Sequence, residues 1–256
     1  QQDVFGFLCA DLEYAISILK EDPKPSYGGL DTMYGDKCEK WIKFANALKM
    51  RLLNRISNVG PTAWGKIQEM INNPADYPVF ESIEDQAVIP YSGVDPYQSY
   101  FSTGNVTPDN FKNYKLSEEV VNMMYDSEKK YADPRLSIFG LKSGKADWKG
   151  TVPGSADSDL PVVDKDATHL NTNTLNRNNA PSRLLEYSEI LFIYAEGVQK
   201  GKLTMPKNAK YYYEEAVKAS VQTWAPFAEY NEVAADEQPV SFNDDAIATL
   251  LKAKFA

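Results

Sequence analysis

Residues 40–57, KWIKFANALKMRLLNRIS, carry the strongest structural signal in this chain. In this stretch, apolar residues recur every three or four positions, the spacing that places side chains on one face of an α-helix. They are Trp41, Ala45, Leu48, Leu52 and Ile56. The remaining face carries the basic residues Lys43, Lys49, Arg51 and Arg55. The pattern predicts a helix that packs into a core and leaves a basic outer stripe, either solvated or paired with acidic side chains.

Length and composition indicate a folded protein with a substantial core. The chain has 256 residues, of which 43% are hydrophobic. Its formal net charge is −9 at pH 7, whereas nucleic-acid binding needs clustered Lys and Arg to neutralise phosphates. No apolar run approaches the roughly 18 residues that a transmembrane helix needs. We therefore expect no nucleic-acid partner and no membrane-spanning segment.

Helical periodicity continues along much of the chain and predicts seven helices. Besides residues 40–57, the predicted helices start near Phe5, Pro61, Ser117, Tyr187, Ala209 and Asn243. The fourth helix is predicted to run from a Ser117 cap past Tyr131, before Asp133-Pro134 stops it. Small residues such as Gly197 and Ala216 favour close packing of the fifth and sixth helices in one tetratricopeptide-like hairpin. The predicted fold class is mainly α, with tetratricopeptide-like helical hairpins, long irregular loops and little or no β.

Two long stretches lack helical periodicity, residues 73–113 and residues 137–180. Both are rich in Gly, Pro, Asn, Asp and Ser, and loops of this length inside a compact domain are usually functional or flexible. The second stretch ends in residues 171–179, NTNTLNRNN, whose low apolar content predicts a surface-exposed segment.

The residue types needed for metal binding or nucleophilic catalysis do not gather into a motif. His169 is the single histidine, no Gly-x-Ser-x-Gly turn accompanies it, and we interpret it as an ordinary surface residue. Cys9 and Cys38 lack zinc-ligand spacing; buried thiols are favoured, and a disulfide between them stays open. An acidic loop lacks the glycine turn and the terminal glutamate of an EF-hand, which favours a solvated loop over a calcium site. Its carboxylates are Asp157, Asp159, Asp164 and Asp166.

The number of acidic residues does not exclude one kind of active site, a pair of catalytic carboxylates. A glycosidase needs two acids that face one sugar. Glu186, Glu189 and Glu196 fall on one predicted helix that otherwise packs, and for Glu196 an ion pair with a basic side chain is favoured. We predict that the protein is not an enzyme and holds no metal and no cofactor.

Aromatic residues supply the remaining chemistry. One loop, shaped by prolines and a glycine, carries Tyr91, Tyr97, Tyr100 and Phe101, and another loop carries Trp148. Aromatic rings offer a flat apolar face with a polar rim, which suits both sugars and peptides. Two interpretations stay open: the rings pack the loops onto the helical core, or they contact a ligand. In the second case these five residues are the candidate ligand-binding site.

Motifs spread over most of the chain occur in a characteristic order. The stretch 40–57 contains Trp-x-Lys-Phe-Ala-Asn-x-Leu-Lys-x-Arg-Leu, and Tyr27-Gly28-Gly29 and Tyr34-Gly35-Asp36 precede it. Further motifs follow at residues 80–87, 116–136, 148–154, 185–196 and 211–220. In this order they resemble the SusD/RagB-like nutrient-binding lipoproteins of the outer membrane of Bacteroidetes.

The resemblance implies a SusD-like fold and a place on the extracellular face of the outer membrane, through a lipid anchor not present in this chain. It implies capture of a glycan or peptide and delivery to a SusC-like TonB-dependent transporter barrel. Residues 1–256 would form a single SusD-like domain, an internal part of a longer chain without its lipidated segment and C-terminal helices. Two other functions stay open: a helical-repeat module that binds proteins and, less favoured, a helical carbohydrate-active enzyme.

Overall fold

The structure, a computed structural model, describes residues 2–22, 28–143, 147–154, 166–230 and 242–255. Its α-helices are α1 (Gln2–Glu21), α2 (Cys38–Arg55), α3 (Ala63–Asn72), α4 (Pro108–Phe111), α5 (Glu118–Met124), α6 (Leu136–Phe139), α7 (Thr172–Leu175), α8 (Tyr187–Gln199), α9 (Ala209–Trp224) and α10 (Asp244–Phe255). Its strands are β1 (Ala87–Ile89), β2 (Tyr125–Asp126), β3 (Tyr131–Ala132), β4 (Gly140–Leu141), β5 (His169–Leu170) and β6 (Ser182–Leu185). The mainly α fold with little β is confirmed. No helix within these ranges is long and apolar enough to cross a membrane.

The chain divides into two compact units. The first comprises Gln1–Ile89 with Ser182–Ser220, and the second comprises Pro90–Pro181 with Val221–Ala256. Antiparallel pairs of strands occur in both: β1 with β6 in the first unit, and β2 with β3 and β4 with β5 in the second. That residues 1–256 behave as a single domain stays a prediction.

Helix α2, which contains most of residues 40–57, is the central helix of the first unit. It packs against α1, α3 and α8. Met50 and Leu53 of α2 are buried together with Ile67 of α3, whereas Trp41 and Leu48 from the predicted apolar face are only partly buried. A helix enclosed by three others buries more than one face, so the single apolar stripe was an incomplete description.

Three of the four basic residues of the α2 stripe pair with acidic side chains, and Arg55 is exposed, so both predicted outcomes occur. Arg51 Nε lies 2.5 Å from Glu189 Oε1, and Lys43 pairs likewise with two carboxylates. Lys49 is buried, and its Nζ lies 2.5 Å from Glu13 Oε1. Its aliphatic stem thus adds to the core while the ammonium group reaches a partly solvated partner.

The predicted hairpin of the fifth and sixth helices is formed by α8 and α9. Its shared core consists of Leu191, Ala195, Tyr212, Ala216 and Ala219. Gly197 has a different role from the one predicted. A Cβ there would lie 2.5 Å from Leu203 Cγ and 2.8 Å from Trp64 Cζ3, so its small size accommodates the chain after α8 and helix α3.

The fourth predicted helix is shorter than its pattern suggests. The Ser117 cap is confirmed, since its Oγ accepts a backbone N–H at 3.3 Å. Helix α5 ends at Met124, however, and the chain continues into the β2–β3 hairpin. Asp126 Oδ1 accepts two backbone N–H groups of the connecting turn, each at 3.0 Å, and Lys130 adopts φ +52°. Such side-chain bonds compete with the backbone bonds of a helix, and here a turn forms in place of a further helical turn.

Candidate functional site

Four of the five predicted site residues lie in one loop of the second unit, which follows β1. Tyr97 and Tyr100 are 69% and 75% exposed, and Phe101 is 42% exposed. Tyr91 is only half-buried and lies nearer the start of the loop. Large apolar rings exposed side by side are unusual on a surface and mark candidate binding sites.

A tight turn presents Tyr97. Its backbone N–H donates to the carbonyl of Val94 at 2.8 Å, and its own carbonyl accepts from the N–H of Gly93 at 3.2 Å. Gly93 has φ +78°, which side chains disfavour, and a Cβ there would lie 3.3 Å from Cβ of Asn179. The glycine therefore allows both the turn and the close approach of the chain beneath it.

Phe101 lies at the centre of a cluster of four rings. Its centroid is 5.0 Å from that of Tyr100, 5.8 Å from that of Phe111 and 6.2 Å from that of Tyr114. All three pairs are edge-to-face, the arrangement that ring quadrupoles favour. Phe111 is 1% exposed and supports the other rings, while Tyr114 is 50% exposed. We call Tyr100, Phe101 and Tyr114 the aromatic platform.

Phe111 and Tyr114 were not among the residues predicted from the sequence. Phe111 is the last residue of helix α4 and Tyr114 follows shortly after it. Thr107 Oγ1 accepts the N–H of Asn110 at 3.4 Å at the start of this helix, and Pro108 occupies its first turn. A Thr-Pro pair is a helix-start signal. This signal would have predicted a short helix within residues 73–113. Such a helix reverses the chain direction and brings Phe111 and Tyr114 close to the loop that carries Phe101.

The platform has no net charge. Between Tyr97 and Tyr114 the only charged side chains are Asp109 and Lys112, and they pair with each other at 3.4 Å. The remaining polar side chains are Gln98, Ser99, Ser102, Thr103, Asn105, Thr107, Asn110 and Asn113. Ser99 and Ser102 are buried. The amides and hydroxyls of the other six both donate and accept, so this surface offers hydrogen bonds without selecting for a charged ligand.

Residues 171–179 hold the loop, and the prediction that they are surface-exposed is wrong. Three of them are essentially buried: Asn171, Thr174 and Asn176. Asn176 Nδ2 donates to the carbonyls of Phe101 and Val106 at 2.5 and 2.9 Å. The carbonyl of Asn178 accepts the N–H of Ser99 at 2.8 Å. The low apolar content therefore reflects a buried polar network that satisfies loop backbone groups, as buried backbone requires.

Trp148 belongs to a different cluster. It is half-buried against the core formed by Leu116, Val121 and Leu136, and Lys142 Nζ lies 5.5 Å from its ring centroid. Among the residues that the structure describes, no ring contact joins it to the platform. The structure therefore brings together Tyr100 and Phe101 of the predicted set, adds Tyr114, and places Trp148 elsewhere.

Asp147, next to Trp148, is held by two partners. Lys130 Nζ and the Tyr125 hydroxyl each donate to its Oδ2 at 2.7 Å. These bonds, that from Lys130 above all, lower the pKa of Asp147 to about 2. The ion pair thus ties the β2–β3 hairpin to the loop that carries Trp148.

The carboxylates and the histidine weighed as catalytic groups have structural partners. Glu196 pairs with Lys200 at 2.5 Å, as predicted. His169 lies half-buried in β5 rather than in an exposed loop, and its Nδ1 is 3.0 Å from the carbonyl of Leu170. Of the acidic loop, only Asp166 lies within the described residues. The residues that the structure describes contain no group of three or more His, Cys, Asp or Glu that could hold a metal ion.

The two cysteines do not form a disulfide. Cys9 and Cys38 are both buried free thiols. Burial raises the pKa of each thiol, which disfavours the reactive thiolate. The interpretation as buried thiols is confirmed.

The first unit contains an apolar cleft of about 580 Å³. Trp41, Phe44, Leu30 and Met33 contribute to its wall. Both oxygens of the neighbouring Asp31 carboxylate are occupied by backbone N–H groups and by the indole of Trp41. The Asp31 carboxylate, with four donors already bound, therefore has no lone pair left for a ligand. Most of the residues that line this cleft are apolar, which suits a polyhydroxylated ligand less well than the platform with its neighbouring amides and hydroxyls.

The described residues thus form a mainly helical protein whose second unit exposes a cluster of aromatic rings. The sequence matches a SusD-like family described as "starch-binding associating with outer membrane" over residues 1–254. The chain belongs to this SusD-like family. No curated protein matches the sequence.

Solved structures show the same fold. A SusD homologue from Bacteroides fragilis NCTC 9343 is 24% identical with a TM-score of 0.72, over 98% of this chain and 54% of that one. A chitin-binding protein is 22% identical with a TM-score of 0.75, over 99% and 52%. A candidate outer-membrane protein for nutrient binding from Bacteroides vulgatus ATCC 8482 is 24% identical with a TM-score of 0.74, over 98% and 55%. The chain therefore spans about half the length of these structures.

Proposed function

We propose that this chain captures a glycan nutrient at the cell surface through Tyr97, Tyr100, Phe101 and Tyr114. The observation that carries the proposal is the exposed platform resting on the buried ring of Phe111. A sugar ring has apolar C–H faces and hydroxyl edges, so it stacks on an aromatic face while its hydroxyls bond to nearby amides and hydroxyls.

The neutral polar surroundings favour a glycan over a peptide. A peptide site commonly uses charged groups or an unpaired strand edge to hold the backbone, whereas the two charges between Tyr97 and Tyr114 pair with each other. The family description names starch, and one structural neighbour is a chitin-binding protein. These observations support a neutral oligosaccharide as the ligand class.

Calorimetric titration with starch-derived and chitin-derived oligosaccharides, and with a neutral peptide pool, tests the proposal. Replacing Tyr100 by Ala should weaken glycan affinity about tenfold, because a stacked ring contributes about 1.5 kcal/mol. Tyr14→Ala is the matched control, since Tyr14 is 69% exposed on α1 in the other unit. Equal losses in both variants, or binding of peptides alone, would overturn the proposal.

We propose further that the protein delivers its ligand to a SusC-like TonB-dependent transporter barrel at the outer membrane. The motif order that resembles SusD/RagB-like lipoproteins supports this step, as does the family's association with the outer membrane. Cross-linking in a Bacteroidetes cell envelope, followed by mass spectrometry, should recover a TonB-dependent barrel. Recovery of soluble adaptors instead would favour the protein-interaction module.

We propose that the ligand leaves chemically unchanged. Glu189 and Glu196 are engaged in ion pairs with Arg51 and Lys200, whereas catalytic carboxylates must face the sugar. Oligosaccharides incubated with the protein should keep their masses. Steady appearance of shorter products would instead indicate a carbohydrate-active enzyme.

A further inference from the structure

Asn176 connects a fixed part of the second unit to the loop that bears the platform. It directly follows α7, whose position is set by two contacts with α6 and its surroundings. Asn171 Nδ2 donates to the carbonyl of Ser137 at 2.7 Å, and Thr174 Oγ1 donates to that of Ile138 at 2.5 Å. Both side chains are fully buried, so α7 is anchored at each end.

From that anchor, the Asn176 amide reaches 75 and 70 residues back along the chain. Its Nδ2 donates to the carbonyl of Phe101 at 2.5 Å and to that of Val106 at 2.9 Å. Asn176 is 1% exposed, and therefore it does not contact a ligand on the surface. The two acceptors lie on either side of a turn, in which the backbone carbonyl of Ser102 accepts the N–H of Val106 at 2.8 Å.

The Phe101 carbonyl is the critical acceptor because it fixes the peptide plane from which the central platform ring projects. Residues 99–106 contain Gly, Ser, Thr and Asn, and nothing in their composition imposes one backbone conformation. The bond to this carbonyl is partly buried. A carbonyl that loses its donor there gains by turning toward water, so loss of the amide would shift the loop toward solvent. The edge-to-face contacts of Phe101 with Tyr100 and Tyr114 would then be lost.

We propose that Asn176 is the positioning residue of the aromatic platform: it acts through the backbone of Phe101 and Val106 and never touches the glycan. The proposal rests on the glycan-binding function proposed above. It adds that affinity depends on a buried amide donor supplied by residues 171–179.

The isosteric variant Asn176→Asp tests the proposal, because an ionised carboxylate has no donor and a protonated one has. Burial raises a carboxyl pKa, so the comparison is between about pH 8.5 and about pH 5. Glycan affinity of N176D should be about fivefold weaker than wild type at the higher pH. It should recover in part at the lower pH, because a protonated carboxyl has one O–H where the amide donates two N–H groups. Amide hydrogen exchange of Val106 should be faster in N176D than in wild type at the higher pH, and this difference should shrink at the lower pH, a readout that a simple packing role would not move.

Wild type and Asn173→Ala serve as controls and should show no such pH dependence. No described hydrogen bond joins the Asn173 side chain to residues 99–106. If N176D does not fold, Asn176→Ser, which is neutral and keeps one donor, should show a partial loss of affinity with an unchanged circular dichroism spectrum. Wild-type affinity in N176D at the higher pH, or in N176S, alongside a weakened Tyr100→Ala, would overturn the role of Asn176. Unchanged affinity in Tyr100→Ala would instead overturn the glycan platform itself.

Discussion

The indole Nε1–H of Trp41 donates a hydrogen bond to Oδ2 of Asp31 at 2.8 Å. The same carboxylate accepts the backbone N–H groups of Met33, Tyr34 and Asp36 at 3.1, 3.0 and 2.9 Å. Burial by itself would raise the pKa of Asp31, but these bonds outweigh it and lower that pKa. The Asp31 side chain thus stabilises the turn before α2 and fixes the indole ring of Trp41 in the first turn of that helix.

Replacing Asp31 by Ala should lower the free energy of unfolding by about 2–3 kcal/mol, because it leaves an indole N–H and three backbone N–H groups without their acceptor. Urea denaturation followed by fluorescence of the tryptophans measures this loss. Asp109→Ala, which removes an almost fully exposed carboxylate, should change stability by less than about 0.5 kcal/mol. Equal midpoints for the two variants would contradict the structural role of Asp31.

The Asp147 ion pair should respond to acid in a defined window. Its folded pKa is lowered to about 2 from an ordinary 3.8, so the contribution to stability is present above the unfolded value and is lost as pH falls through about 2. Carboxyl chemical shifts measured by NMR should show this low midpoint in wild type. In Lys130→Met the midpoint should rise toward the ordinary value, since Lys130 is the main cause of the shift. An unchanged midpoint in that variant would contradict the assignment.

Gly197 should not tolerate a methyl group. A Cβ there would lie 2.5 Å from Leu203 Cγ and 2.8 Å from Trp64 Cζ3, and overpacking of about 1–3 kcal/mol exceeds the gain in helix propensity of about 1 kcal/mol. Thermal unfolding of Gly197→Ala should therefore occur at lower temperature. Gly65→Ala is the matched helical control: it would meet no atom within 4 Å and should stabilise α3 slightly. Stabilisation of both variants would show that the packing around Gly197 is looser than described.

Helix positions could be predicted from the sequence where apolar periodicity and caps agreed. The stretch 40–57 gave α2 to within two residues, because its pattern is long and uninterrupted. The same reasoning failed after Met124. Apolar spacing continued to Tyr131, but the Asp126 carboxylate accepts hydrogen bonds from the local backbone and a turn forms instead. Periodicity describes a face and carries no information about such side-chain competition.

The candidate site was less accessible to sequence reasoning. Ring density identified Tyr91, Tyr97, Tyr100 and Phe101 as a group. The structure shows the last three exposed and Tyr91 half-buried. The partners of this loop are distant in sequence: Asn176 lies 75 residues from Phe101. A polar segment is equally consistent with solvent exposure and with a buried hydrogen-bond network, and only tertiary contacts distinguish the two.

Tyr114, found only from the structure, should contribute to glycan affinity. Its ring is half exposed and packs edge-to-face against Phe101, so Tyr114→Ala should weaken binding about fivefold. Tyr114→Phe keeps the ring and should bind within about twofold of wild type unless the hydroxyl bonds the sugar. Calorimetry of both variants measures the difference. Full affinity in Tyr114→Ala would confine the platform to the residues found from the sequence.

Trp148 should behave in the opposite way to Tyr100. Its ring is half-buried against Leu116, Val121 and Leu136, so Trp148→Ala should lower the free energy of unfolding by about 2–3 kcal/mol. Glycan affinity, measured where the variant is fully folded, should stay within about twofold of wild type because no described ring contact links Trp148 to the platform. Tyr100→Ala should leave stability nearly unchanged, since that ring is 75% exposed. A variant of Trp148 that keeps its stability and loses glycan affinity would return this residue to the binding site that the sequence predicted.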